Sequence, residues 1–259
     1  MLDVETIYND MLKELNAANK KERYDGNEKW FHASSAGRCF KIHWYSIRGT
    51  EQDQPSAKQR RVFEQGNITH KSIQDAFAKK FGNKVFNEQE LTIPRLNVRG
   101  FSDIIVPDIY IEQLQTNMTL IYDIKTMNAF SWRTKYGQKQ NRKAQSGLAE
   151  LQIGTYALAL SEYMNCEKTL DFIPVQPIVM SIIDYKKDDS TMKINLVAKR
   201  TMIEAEQYWE EVKIFVSNFQ QKEPKAGNVV GCPKLSWECN YCPYASKCNS
   251  PLYKGKKGE

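Results

Sequence analysis

Residues 100–126 read GFSDIIVPDIYIEQLQTNMTLIYDIKT. Two short apolar runs, Phe101 to Val106 and Met118 to Ile124, flank a polar segment containing Asn and Thr. Each run has the composition of a strand, and the pair predicts a hairpin with a long loop. Side chains alternate faces along a strand, so Asp123 and Lys125 point one way while Ile124 points into the core. Asp103 lies in the first run. Charges embedded in strands this rich in Ile, Val and Leu are costly unless they are paired or hold a metal. A divalent cation held by Asp103 and Asp123, with Lys125 beside it, meets that requirement. A plainer reading, charges on the solvated face of an antiparallel sheet, accounts for any one of these carboxylates taken alone.

The rest of the composition sets the frame. The 259 residues suit one large or two modest domains. With 41% hydrophobic and 26% charged residues, the chain is a globular protein with material for a real core. A net charge of +6 and a pI near 8.8 are compatible with a nucleic-acid partner. No apolar run approaches the ~20 residues that span a bilayer, so no membrane is expected. The acidic, amphipathic start MLDVETIYNDMLKELN is unlike a signal peptide. The expected location is therefore cytoplasmic, where thiols stay reduced. There is no internal repeat, and low complexity is confined to the terminal KGKKGE.

Outward from the hairpin, residues 3–19 carry apolar positions at helical spacing, and a charged linker follows. Ser34 or Ser35 is the expected N-cap of a helix carrying Arg38, Cys39, Lys41, Ile42, His43 and Ser46. Residues 50–60 read as a polar loop. The next helix is expected from Phe63 or Gly66 to Phe81, with His70, Ile73 and Phe77 on one face. A single His on such a face is ordinarily a hydrogen-bonded core residue, but beside a metal-binding hairpin imidazole is a common third ligand. Residues 84–94 alternate as the first strand of a meander. Glu88 and Glu90 share a face there, with Glu90 placed to approach the site.

Beyond Lys125 no acidic residue occurs until Glu150. Arg133, Lys135, Lys139, Arg142 and Lys143 are interleaved with Phe130, Trp132 and Tyr136. Cations bind phosphates and aromatic rings stack on bases, so this segment suits a single strand of nucleic acid; Arg133, Lys135, Tyr136, Arg142 and Lys143 are the candidate contacts. A long helix over residues 145–163 follows, with Gln152 and Tyr156 one turn apart on one face. Strands are expected over 177–185 and 192–197, and a helix over 203–219.

The C-terminal SWECNYCPYASKCNS places Cys239, Cys242 and Cys248 in a C-x2-C-x5-C run. Three thiols so close in a reducing compartment argue for metal rather than disulfides. Cys39, Cys232 and Cys166 are the candidates for a fourth ligand. Tetrahedral sulfur suits zinc or an iron–sulfur cluster, and spacing does not separate them.

His70, the G-x-x-D from Gly100 to Asp103, the D-x-K from Asp123 to Lys125 and the Q-x-x-x-Y from Gln152 to Tyr156 resemble, in order and near spacing, the RecB-like branch of the PD-(D/E)xK nucleases. Cys39 in G-R-C, paired with the distant C-x2-C-x5-C, is similar to the iron–sulfur version of that branch: the CRISPR-associated Cas-four exonucleases and their stand-alone phage relatives. The AddB nuclease domain is a more distant likeness. The resemblance spans about residues 34–249. This chain has Asp in D-x-K where many relatives have Glu, and Cys232 is an extra thiol near the cysteine run.

The resemblance implies an α/β fold, a restriction-endonuclease-like core of a mixed sheet flanked by helices. It would form one nuclease domain, with an N-terminal helical region (1–62), a core (63–200) and a C-terminal helix and cysteine region (201–259). It implies that His70, Asp103, Asp123 and the backbone carbonyl of Ile124 hold Mg²⁺ or Mn²⁺. Lys125 would orient water or stabilise the transition state, and Gln152 and Tyr156 would position the substrate strand. Cys39, Cys239, Cys242 and Cys248 would bind one [4Fe–4S] cluster joining the two ends of the fold. The implied activity is a DNA exonuclease on single-stranded ends, 5′-to-3′, beside CRISPR integrase proteins or phage recombination proteins. A nucleic-acid-binding adaptor with a structural metal is the alternative.

Overall fold

The computed structural model describes residues 3–23, 29–137, 146–165, 176–220, 223–224 and 238–248. A six-stranded mixed sheet forms its centre. The strands are β1 (Phe31–His32), β2 (Phe86–Ile93), β3 (Val98–Ile111), β4 (Thr116–Met127), β5 (Ile178–Lys186) and β6 (Met192–Val197). β2, β3 and β4 form an antiparallel meander, β5 lies parallel to β4, and β6 returns antiparallel on β5. The short β1 runs parallel to the start of β3. Parallel pairing of β4 and β5 requires a crossover. The intervening chain contains helices α4 (Ala129–Tyr136) and α5 (Ser146–Asn165).

The expected hairpin is present, but its strands run further than the apolar runs. β3 and β4 are joined by a 3-10 turn at Glu112–Leu114, so the connection is short. Helix α3 (Ala57–Phe81) begins earlier than its apolar periodicity suggested. Ser56 and Gln59 form a capping box there, each side chain bonding the other's backbone N–H. Helix α2 (Phe40–Ile47) begins later than expected. Ala33–Ser35 is a 3-10 turn, so neither Ser34 nor Ser35 caps the helix; Cys39 occupies the cap position and Arg38 lies outside.

Helices cover both faces of the sheet. Ile104, Val106, Ile124 and Ile183 project toward α3, where Ile73, Phe77 and Phe81 pack over them. Ile105, Ile121, Met180 and Ile182 project the other way, into the large core formed with α2, α5 and α6 (Thr201–Asn218). The period-2 alternation of β4 therefore places Asp123 and Lys125 beneath α5, with Ile124 beneath α3. Helix α1 (Val4–Arg23) packs against α3. Among the described residues no helix is long and apolar enough to cross a membrane.

The residues from Glu238 to Cys248 dock on the N-terminal part of the fold. The Cys39 N–H donates to Glu238 Oε1 (2.5 Å), the Asp53 N–H donates to the Pro243 carbonyl (2.7 Å), and Tyr45 stacks on Tyr244. Polar and aromatic contacts thus hold the two ends together.

Candidate active site

β3 and β4 pair as far as Ile104 and Tyr122 and no further toward Gly100. Asp103 and Asp123 are therefore the first residues beyond the ladder. The Asp103 carboxylate fills the place of a backbone acceptor: its Oδ2 accepts the Ile124 N–H at 2.6 Å. A strand amide left without its ladder partner is thereby satisfied, and the same bond fixes the carboxylate. Asp103 Oδ1 faces His70 Nδ1 at 3.4 Å. Burial would lower the His70 pKa, but the hydrogen bond and charge of Asp103 raise it above the usual value.

Asp123 is 0% exposed. The Lys125 ammonium lies 2.7 Å from its Oδ2, yet neither carboxylate oxygen has a well-aligned hydrogen bond. Burial lifts the Asp123 pKa to about 6, against the pull of Lys125 and with the push of Asp103. Asp123 is thus a buried carboxylate whose partner is the Lys125 ammonium, and it does not join His70 and Asp103 in a group of ligand atoms within 4.8 Å of one another. Of the residues expected from sequence, His70 from α3 faces Asp103 from β3, and Asp123 and Lys125 from β4 pair with each other.

Gln152 and Tyr156 on α5 complete a polar chain over these strands. Lys125 Nζ donates to Gln152 Oε1 (2.9 Å), and Gln152 Nε2 donates to the Tyr156 hydroxyl (2.9 Å). Burial, together with Asp123 and Asp103, pushes the Tyr156 pKa well upward, so its phenol stays protonated. Gly100 has a packing reason to be glycine. A Cβ there would stand 2.5 Å from Ala33 Cβ and 2.7 Å from the Tyr156 ring. The glycine of G-x-x-D is what lets α5 and the 33–35 turn close over β3.

Two expectations change in the structure. Glu90 does not approach the site; it is ion-paired with Arg99 at 2.7 Å. Glu88 takes that position instead, and ligand atoms of His70, Glu88 and Asp103 lie within 4.8 Å of one another. Glu88 has φ of +51°, a left-handed conformation inside a strand that costs a non-glycine residue on the order of 1 kcal/mol. Alternation along β2 could not reveal this, because the kink breaks it.

The basic-aromatic segment is also used differently. Lys135 and Tyr136 both bond Asp184 Oδ2 on β5, as does Asn195 Nδ2 (2.8 Å). Asp184 is 0% exposed, so this network neutralises a buried charge and fixes α4 to the sheet, and Lys135 and Tyr136 are turned toward it. Arg133 on the same helix is exposed. Arg142, Lys143, Cys166 and Cys232 lie outside the described residues.

Cys39, Cys242 and Cys248 pack at the rim of the large core, and Cys239 is buried. Burial raises the Cys242 thiol pKa to about 11, and Cys248 and Cys239 are close enough to push it further upward. No three of the four sulfurs lie within 4.8 Å of one another.

A meander followed by a parallel crossover strand thus gathers carboxylates, an imidazole and a lysine where two strands part. The chain belongs to the PD-(D/E)XK nuclease superfamily, whose sequence model matches residues 5–249. Nucleases of this superfamily use divalent metals. The crystal structure of SSO0001 shares the fold, with a TM-score of 0.52 and 14% identity over 92% of this chain and 96% of that one. An alkaline exonuclease (LHK-Exo) from Laribacter hongkongensis aligns with a TM-score of 0.45 and 12% identity, over 78% of this chain and 96% of that one. No curated protein sequence matches the chain.

Proposed function

We propose that this nuclease is a Mg²⁺- or Mn²⁺-dependent DNA exonuclease that degrades single-stranded ends, in the 5′-to-3′ direction, in CRISPR adaptation or phage DNA recombination. The observation that supports metal-dependent cleavage is the fully buried Asp123 carboxylate, paired with Lys125 at 2.7 Å but without a well-aligned hydrogen bond, one residue along β4 from the amide that Asp103 accepts. An adaptor that only binds nucleic acid has no need of that costly arrangement. The preference for single-stranded ends, the polarity and the biological setting rest on the motif resemblance to the RecB-like exonucleases.

Asp103, Asp123, His70 and the Ile124 carbonyl would hold the cation, which supplies an acidified water and neutralises the scissile phosphate. Lys125 offers a fixed positive charge to the developing negative charge, and Gln152 and Tyr156 hold that lysine and the substrate strand in place. Arg133 is the described cation on α4 left open to a DNA backbone. The four cysteines would hold a [4Fe–4S] cluster with a structural role.

The test is cleavage of single-stranded DNA labelled at either end, with Mg²⁺ or Mn²⁺, by wild type, Lys125→Ala and Asp103→Ala. Loss of cutting in both variants, with folding unchanged, supports the assignment, and the released label gives the polarity. DNA binding by wild type without cutting in any metal would establish the adaptor instead. Visible absorbance near 400 nm in the purified protein distinguishes the cluster from zinc.

A further inference from the structure

Glu88 is the acidic residue at the site that the D…D-x-K pattern leaves out. It sits inside β2 with a left-handed backbone, and the pair it would form with Asp103 across β3 is missing from an otherwise regular register. The kink sends its carboxylate toward Asp103 rather than along the strand's own alternation, so two like charges converge with His70 within 4.8 Å. Such convergence is unfavourable unless positive charge, from a shared cation or from a protonated His70, offsets it.

Helix α3 holds Glu88 there. Gln74, one turn after His70 and mostly buried, donates from Nε2 to Glu88 Oε1 (2.9 Å) and to the Asp103 backbone carbonyl (3.1 Å). The Gln74 carbonyl accepts from Asn87 Nδ2 (3.2 Å) and so pins the neighbouring residue. One helical turn therefore aims both His70 and Glu88 at Asp103. Asp123 on the adjacent strand, fully buried and without a well-aligned hydrogen bond although Lys125 lies 2.7 Å away, is an independent sign that positive charge is wanted beside Asp103.

We infer that Glu88 is a further ligand of the divalent cation, donating a carboxylate oxygen alongside His70 and Asp103, and that Gln74 is the residue that positions it. Two carboxylates with one imidazole form a set open to Mn²⁺. This assignment rests on the metal-dependent reading of the site.

The test is Mn²⁺ binding to the full chain without DNA, followed by calorimetry and by the loss of the free-ion paramagnetic resonance signal. Wild type is compared with Glu88→Gln, Glu88→Asp, Asp103→Asn and, as a neighbour outside the site, Glu90→Gln. Glu88→Gln keeps the size of the side chain and an acceptor for Gln74, and should raise the Mn²⁺ Kd tenfold or more. Glu88→Asp, one methylene shorter, should also weaken binding, and it decides the matter if the Gln variant does not fold. Glu90→Gln should stay within twofold of wild type. A purely structural Glu88 would lower the melting temperature of the metal-free protein and leave the Kd unchanged. Wild-type affinity in the folded Glu88 variants, with binding lost in Asp103→Asn, overturns the inference and leaves the metal site standing. Failure of wild type to bind Mn²⁺ at all overturns both.

Discussion

Replacing Asp123 by Asn should stabilise the metal-free protein while abolishing its metal-dependent activity. In the fold Asp123 ionises near pH 6, against 3.8 for the ordinary carboxylate, because burial outweighs the attraction of Lys125. The difference of about two pH units, at ~1.4 kcal/mol each, makes the ionised carboxylate cost the folded state about 3 kcal/mol. The sign follows from proton binding. Between about pH 4 and 6 the folded chain keeps a proton that the unfolded chain has lost, so stability falls as pH rises through that window and levels off above it. Asn resembles the protonated carboxyl and carries no such dependence. In urea unfolding with EDTA, Asp123→Asn should exceed wild type by about 3 kcal/mol at pH 8, and by much less at pH 4. Adding Mn²⁺ should stabilise wild type more than the variant, which keeps His70, Glu88 and Asp103 but has lost one carboxylate. A variant less stable than wild type at pH 8 in EDTA would show that the native site satisfies the charge, and the argument for a metal from that charge would fail.

Other consequences are open to direct measurement. Gln152→Leu removes one of two partners of Lys125 and should lower kcat by roughly ten- to a hundredfold with a smaller change in KM, read in the same DNA cleavage assay. Gly100→Ala forces a methyl group against Ala33 and the Tyr156 ring, and should cost about 1–3 kcal/mol in chemical denaturation. Lys135→Ala leaves Asp184 buried with its ammonium partner gone, and should destabilise by about 3–5 kcal/mol; wild-type stability together with weakened DNA binding would return Lys135 to the DNA surface.

Much of the architecture was legible in local patterns. The two apolar runs around Asp103 and Asp123 mark the central strands, and the i, i+3, i+7 spacing of His70, Ile73 and Phe77 marks the helix above them. The early start of α3 was also written in the chain, as the Ser56–Gln59 capping box within a stretch that reads as polar loop. The late start of α2 was not: Ser34 and Ser35 have the right chemistry for a cap, but the backbone there turns as a 3-10 helix and then passes through Gly37 at φ +78°.

By itself the sequence determined the strand pattern, the motif order and the residue types able to hold a hard cation, because these depend on neighbours within a few positions. Tertiary structure decided which charges meet. Lys135 and Tyr136 carry the composition of a DNA-binding segment, yet both face Asp184, and only the parallel pairing of β4 with β5 brings that carboxylate beside them. Glu88 and Glu90 are equivalent by alternation, yet a left-handed backbone at one position sends Glu88 into the site while Arg99 holds Glu90 outside. The physical reason is the same in both cases. Burying a charge is costly enough that its partner sets where it points, and that partner lies on another strand or helix.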